Sequence, residues 1–271
     1  MRASLIILFL SVLFISCSEY QQVLKDENIT RKYTYADSLY NQGKYKKALK
    51  LMEQIVPSYR GKPQAEKLMY QYANTFYKLE DFILAGYQFE RFATSYPSSD
   101  SVEVAAYKSA KSYYELSPRS SLDQKDTHKA LEKLQGYVDA YPNSEYRLEA
   151  NQLVNELRNK LEKKDFETAQ QMLKLGDYLG TFTPAIESFD NFISDHPGSQ
   201  YRKEAFFGRL EAAYRLAINS VPSKQQTRLQ TAKEYYSTFI KYYGESELRV
   251  EADKILLDID KRLATTTETK S

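Results

Sequence analysis

The sequence predicts an all-α fold: a solenoid of about five irregular helix pairs ending in a C-terminal capping helix. Three observations predict it. First, one turn phrase recurs: Tyr96-Pro97-Ser98-Ser99, Tyr141-Pro142-Asn143-Ser144-Glu145-Tyr146-Arg147, His196-Pro197-Gly198-Ser199-Gln200-Tyr201-Arg202 and Tyr243-Gly244-Glu245-Ser246-Glu247-Leu248-Arg249. Second, apolar residues upstream of each copy are spaced three, four and seven apart, which sets them on one helical face. They are Phe82, Ala85, Phe89 and Phe92; Ala130, Leu134 and Tyr137; Ala185, Phe189 and Phe192; and Ala232, Tyr236 and Phe239. Third, 271 residues hold only 9 Gly and 8 Pro, sparse punctuation for strands joined by turns.

At the amino terminus, Arg2 precedes an almost wholly apolar run from Ala3 to Ile15. That run is short for a membrane span of ~20 residues and suits the apolar core of a signal peptide, residues 1–16. Phe14-Ile15-Ser16-Cys17 resembles the lipobox of bacterial lipoproteins, departing from it at Phe14, where Leu is usual, and at Ile15. Cys17 is the one cysteine, which excludes an intrachain disulfide and a zinc site built on several thiolates. Its thiol is the group needed for thioether attachment of diacylglycerol, and two or three acyl chains anchor firmly. Ser18 follows, so there is no Asp to retain the protein in the inner membrane by the enterobacterial rule. The expected location is the outer membrane, lipid-anchored and facing the periplasm, with residues 17–30 as a lipidated tether.

Each Pro of the turn phrase stops a helix, and the Ser after it is placed to N-cap the next. The small Ala of each apolar set lets two helices approach while bulky neighbours fill the gap. This pattern of Ala, an aromatic four later, a contact three later and Pro five after that resembles the tetratricopeptide (TPR) family. Gly43, Tyr45 and Ala48 match that family's interhelix turn and helix start, and Glu80 stands where Gly is usual. The resemblance implies a right-handed superhelical solenoid. The pivotal alanines Ala48, Ala85, Ala130, Ala185 and Ala232 stand 37, 45, 55 and 47 apart, against about 34 in a standard repeat. Insertions are expected at Ser117–Lys125 and Ser220–Gln226. Ser144–Lys174 lacks Pro and Gly and reads as one long helix or as two broken near Lys163-Lys164-Asp165. Repeats 1–3 would fill an amino-terminal half, residues 31–143. The linking helix, repeats 4–5 and a cap from about Ser246 to Leu263 would fill a carboxy-terminal half, residues 144–263, before a disordered tail, 264–271.

In TPR proteins certain positions of each first helix face a concave groove. Alignment by Ala48 and Ala85, and of the third first helix by Ala110, puts Tyr33 and Tyr40, Tyr70 and Tyr77, and Tyr107 and Tyr114 at equivalent groove positions, with Asp37, Asn74 and Lys111 between them. Members of each pair are seven apart, on one stripe. They form a candidate peptide groove, with packing between repeats as the alternative role. Arg202, Arg209, Arg215 and Arg249 are candidate partner-docking residues, because the planar guanidinium suits interfaces.

Catalysis is not expected. Lys+Arg at 38 against Asp+Glu at 36 leaves +2, no electrostatic footprint for nucleic acid. His128 and His196 are the only histidines and are 68 apart, whereas a helical zinc-protease motif needs two four apart. There is no Gly-rich phosphate loop and no Gly-x-Ser-x-Gly elbow. No cofactor, metal site or catalytic residue is assigned.

The Cys17 anchor, the repeated turns with their following Tyr-Arg and the long middle segment together resemble the BamD family. These are TPR lipoproteins of the machinery that folds β-barrel proteins into the outer membrane. The resemblance covers essentially the whole mature chain. It implies three partners: unfolded outer-membrane protein precursors at the amino-terminal half, a BamA-like barrel protein at the carboxy-terminal half, and the membrane through the amino-terminal lipid. Two alternatives stay open. One is a periplasmic TPR coordinator of envelope processes similar to the YbgF family, which often carries a coiled coil; no sustained heptad run occurs here. The other is a surface glycan-binding lipoprotein resembling the SusD family, which stacks sugars on Trp; this chain has 24 Tyr and 13 Phe but no Trp.

Overall fold

A computed structural model of the chain describes residues 19–268. The signal peptide, Cys17 and the last three residues of the tail lie outside the described residues. The long helices run α1 (Ile29–Asn41), α2 (Tyr45–Tyr59), α3 (Ala65–Lys78), α4 (Phe82–Ser95), α5 (Val102–Glu115), α6 (Lys125–Ala140), α7 (Arg147–Leu179), α8 (Thr183–Asp195), α9 (Arg202–Ile218), α10 (Pro222–Tyr243) and α11 (Arg249–Glu268). No strand occurs among the described residues. The all-α fold of successive helix pairs expected from the spacing is the one observed. The chain divides into two compact units. The first runs to Pro118 and includes Leu122–Leu157; the second comprises Arg119–Ser121 and everything from Arg158.

In the first unit, consecutive helices from α1 to α6 pack on one another. Ala48, Ala85 and Ala130 are fully buried, as are Phe89 and Phe92. Burying each such phenylalanine contributes about 2 kcal/mol. Two interhelix turns close alike. Lys44 N–H reaches Leu39 O at 2.9 Å past Gly43, and Asp81 N–H reaches Phe76 O at 3.0 Å past Glu80. Both turns need a left-handed residue, Gly43 at φ 72° and Glu80 at φ 61°. Glu80 therefore takes glycine's role in the turn and bears the steric cost of its Cβ.

The expectation of a free tether fails for residues 19–25, which are helical. Tyr20 and Val23, three apart, form an apolar stripe buried against the first helix pair, Val23 completely.

In the second unit α8, α9, α10 and α11 pack in sequence. Ala185 and Ala232 are fully buried with Phe189 and Phe239. Gly208 permits a close approach of helices, since a Cβ there would lie 2.4 Å from Phe189 Cζ. Residues 147–179 form one helix, unbroken at Lys163-Lys164-Asp165. The second expected insertion is instead the start of α10: Pro222 sits at the first helical position, where its missing N–H costs nothing. The last helix begins at Arg249 rather than Ser246 and continues beyond Leu263 to Glu268. No Gly or Pro stops it, and the Thr265 hydroxyl bonds back to Lys261 O at 3.0 Å.

The recurring phrase works differently from a simple cap. In each copy the N–H three residues after the Ser bonds to the Ser carbonyl, at 3.0 to 3.2 Å. The hydroxyls of Ser99, Ser144 and Ser199 accept the N–H two residues on, at 3.1 to 3.2 Å. Ser99 and Ser144 also donate to Glu66 at 2.6 Å and Glu103 at 2.5 Å, each in the preceding first helix. The serine thus ties a turn to the repeat before it. The recurring arginine clamps the turn: Arg147 donates to Pro142 O at 3.0 Å and Arg249 to Gly244 O at 3.1 Å. His196 fills the place of Tyr with its ring 4.9 Å from Phe192 and Nε2 3.0 Å from Asp165. His128 is exposed on α6.

Candidate protein-binding groove

The first helices α1, α3 and α5 bring most of the aligned tyrosines to one face of the first unit. Tyr33, Tyr40, Tyr70, Tyr77 and Tyr114 are all half-buried, each ring partly packed and partly open. Tyr33 stacks on Tyr59 at 5.1 Å. Tyr40 meets Tyr45 edge-on at 5.7 Å. Tyr70 packs edge-on to Phe89 and Phe92, and Tyr77 to Phe82 and Phe89.

Polar groups join these helices in a chain. Gln71 Nε2 donates to Asp37 Oδ1 at 2.6 Å, beside the Lys67–Asp37 ion pair at 2.8 Å. Asn74 Nδ2 donates to the Tyr40 hydroxyl at 2.5 Å and accepts from Lys108 Nζ at 2.8 Å. Lys108 Nζ also donates to the Tyr70 hydroxyl at 3.2 Å. Further along, Lys111 pairs with Glu149 at 2.6 Å, and the Tyr114 hydroxyl donates to Glu156 at 2.5 Å.

The electrostatics follow from this packing. Burial raises the Tyr40, Tyr70 and Tyr77 hydroxyls. Burial lowers Lys108, and the nearby Lys78 charge adds to it. Burial alone would raise Asp37, but hydrogen bonds from Lys67 and Gln71 outweigh it and leave the carboxyl below its ordinary range. The bond to Glu156 holds the Tyr114 proton, with burial helping, and pushes its pKa up to about 12. The face thus offers neutral hydroxyls and lysine cations among rings, suited to hydrogen-bonding a backbone and packing on side chains.

Two expected lining residues are corrected. Tyr107 is 4% exposed, stacked on Tyr146 at 4.6 Å. Its hydroxyl lies beside Glu149 without a well-aligned hydrogen bond, and burial first, then that carboxylate, raises it. Asn74 is 5% exposed and spent on its two partners. Both join neighbouring repeats instead of lining a groove. Lys108 was not among the expected residues. Its signal lay in a 34-residue register: Asp37 to Gln71, Tyr40 to Asn74 and Asn74 to Lys108 are each 34 apart.

In the second unit two of the four candidate arginines turn inward. Arg209 is 9% exposed, paired with Asp190 at 2.6 Å and laid over Phe206 and Tyr235, 4.9 and 4.3 Å from their centroids. Arg202 donates to Ile193 O at 2.5 Å and covers Phe206. Both are corrected from docking residues to packing residues, because a guanidinium shed of water is held by rings and fixed acceptors. Arg215 pairs with Asp177 at 2.5 Å over Phe182 yet keeps 27% of its side chain exposed, and Arg249 keeps 48%. Arg215 also edges an open cleft of about 440 Å³ between α9 and α11, lined by Phe207, Tyr214, Glu251, Lys254 and Ile255 among others.

The YfiO family model, an outer membrane lipoprotein family, matches residues 25–182. The outer membrane protein assembly factor BamD of Caulobacter vibrioides (strain ATCC 19089 / CIP 103742 / CB 15) is 31% identical over 97 residues, 36% of this chain. The chain spans only 30% of that relative's length. Among solved structures, the P58(IPK) TPR domain has a TM-score of 0.40 at 13% identity, covering 91% of this chain and 68% of that one. The nearly identical TPR-like repeats of a putative kinesin light chain from Podosopora anserina give a TM-score of 0.33 at 13% identity, covering 83% and 98%.

Proposed function

The chain belongs to the YfiO family of outer membrane lipoproteins, and on that premise we propose that it is a non-catalytic scaffold of outer-membrane protein assembly. In this reading Cys17 carries the lipid, the protein faces the periplasm, and it serves the β-barrel assembly machinery. The first unit receives unfolded outer-membrane protein precursors, and the second docks on a BamA-like barrel protein.

The observation that carries the reading is the run of partly open tyrosines on α1, α3 and α5, helices that lie wholly within the residues matched by the family. An extended precursor segment crossing that face meets ring edges for its side chains and hydroxyls for its backbone. Tyrosine binds at low entropic cost because it has few rotatable bonds. Docking on the barrel subunit falls to the cleft edged by Arg215, with Arg249 on the same unit.

The test is affinity purification of the protein from detergent-solubilised outer membranes. The expected result is co-purification of a BamA-like barrel. Repeated recovery of cell-wall factors or a glycan importer in its place would overturn the proposal.

A further inference from the structure

At the turn between α1 and α2 lies an open cleft of about 510 Å³, lined by Gly43, Lys44, Tyr45, Lys46, Lys47 and Leu79. Its floor is apolar: Tyr45, held edge-on by Tyr40, and Leu79. Its rim is cationic. Lys44, Lys46 and Lys47 are exposed, as is Lys50 one turn beyond Lys46. Several other lysines carry carboxylate partners, as in Lys67–Asp37, Lys111–Glu149 and Lys233–Asp260. Among the described residues no carboxylate lies within ion-pair distance of any of these four. The two acids after Leu79, Glu80 and Asp81, are exposed and lie beyond ion-pair distance of these four, and Asp81 accepts the Leu84 N–H at 3.2 Å.

A second observation says what this surface faces. The helical segment 19–25 is pinned at the same place. Lys47 Nζ stands 5.1 Å over the Tyr20 ring, the Tyr20 hydroxyl reaches Lys47 O at 3.5 Å, and Val23 is fully buried. Cys17 is three residues before Tyr20, so chain length alone keeps its Cα within roughly 11 Å of the Tyr20 Cα. A lipid on Cys17 therefore holds this end of the first unit close to a bilayer surface.

We propose that this cleft binds the headgroup of an anionic phospholipid in the membrane that holds the Cys17 acyl chains. The inference rests on reading Cys17 as the acylated residue. The ammonium groups meet the phosphate, while Tyr45, Leu79 and the lysine stems meet the upper acyl chain. Acyl anchoring makes the encounter intramolecular, so weak charge pairing suffices to hold the unit against the surface.

The test uses the full-length protein, purified from membranes and reconstituted into phosphatidylcholine vesicles, with or without about one-third phosphatidylglycerol. A lysine-selective acetylating reagent is applied and modification is read residue by residue by mass spectrometry. Lys44, Lys46 and Lys47 are expected to react about fivefold more slowly in the anionic vesicles, with the difference erased by high salt. Lys241, exposed in the second unit, is expected to react equally in both. Equal rates at Lys44, Lys46 and Lys47 in the two vesicle types would overturn the inference. The mass of the amino-terminal peptide, read in the same run, reports Cys17 separately. Acylated Cys17 with equal rates sinks the headgroup site alone. Unmodified Cys17 with slowed lysines sinks the anchor alone, and unmodified Cys17 with equal rates sinks both.

Discussion

On the face shared by α1, α3 and α5, tyrosine hydroxyls, Asn74 and Lys108 tie one repeat to the next, and five rings stay half open. On α9 of the second unit the ties are guanidinium groups laid over rings, and Arg209 is almost closed off from solvent. Tyr and Arg are both enriched at interfaces. Spacing alone therefore marks the two faces as equivalent. The difference comes from side-chain length. A tyrosine anchored by its hydroxyl still presents a ring edge, because the ring is rigid. An arginine has a flexible stem, so a ring and a carboxylate nearby draw the cation inward and use it up.

Three measurements break or sharpen this contrast. The largest effect is expected from separating the two faces by binding. Tyr77→Ala with Tyr114→Ala should weaken binding of a precursor peptide at least about tenfold and leave barrel co-purification intact. Arg215→Ala with Arg249→Ala should do the reverse. If both pairs impair both partners equally, with circular dichroism showing intact helices, the division of labour is wrong.

The ties themselves come next. Arg209→Ala removes the Asp190 ion pair and two ring contacts and should cost about 2 kcal/mol in urea unfolding. Arg209→Lys should recover less than half of that, since an ammonium cannot lie flat across two rings. Asn74→Ala strips Lys108 and Tyr40 of a buried partner and should cost about 1.5 kcal/mol. Asn74→Asp should recover part, as a carboxylate accepts from both. If Arg209→Ala proves milder than Asn74→Ala, the arginine is a surface group after all.

The smallest effect is in acid. A hydrogen bond from Lys111, with the Tyr107 hydroxyl alongside, holds Glu149 below its ordinary value of 4.5, and hydrogen bonds from Arg262 and Tyr214 hold Asp258 below 3.8. A lowered carboxyl contributes stability that is present above its unfolded value and lost as pH falls through its folded one. The loss should therefore begin at higher pH in the first unit. Glu149→Gln should flatten the fall in urea midpoint between about pH 5 and about pH 3; an unchanged slope would show that Glu149 contributes nothing.

Much of the fold was legible because it depends on local rules. The five pivotal alanines are fully buried, and every turn phrase separates two helices. Ser220–Gln226 was misread because Ser, Pro and Gln were weighed as loop composition, although Pro at the first helical position starts a helix. The tether was misread because three residues, Tyr20, Val23 and the half-buried Leu24, carry its packing, too few to register as a period. At the candidate site, periodicity found the face but not the destination of each polar tip. Alignment equates Asp37 with Asn74, 37 apart, whereas the bonds cross at 34 and reach a different partner. That shift of about one turn depends on how neighbouring helices slide past each other, and no single helix encodes it.

The turn serines have a consequence for how the first unit comes apart. Ser99 reaches to Glu66, and Ser144 to Glu103 and to Tyr137 of the helix before its own turn, so each link spans no more than a single step of the stack. Cooperativity is then handed on from neighbour to neighbour, with no common centre. Unfolding should fray inward from the ends, and amide exchange should slow steadily toward α4 and α5.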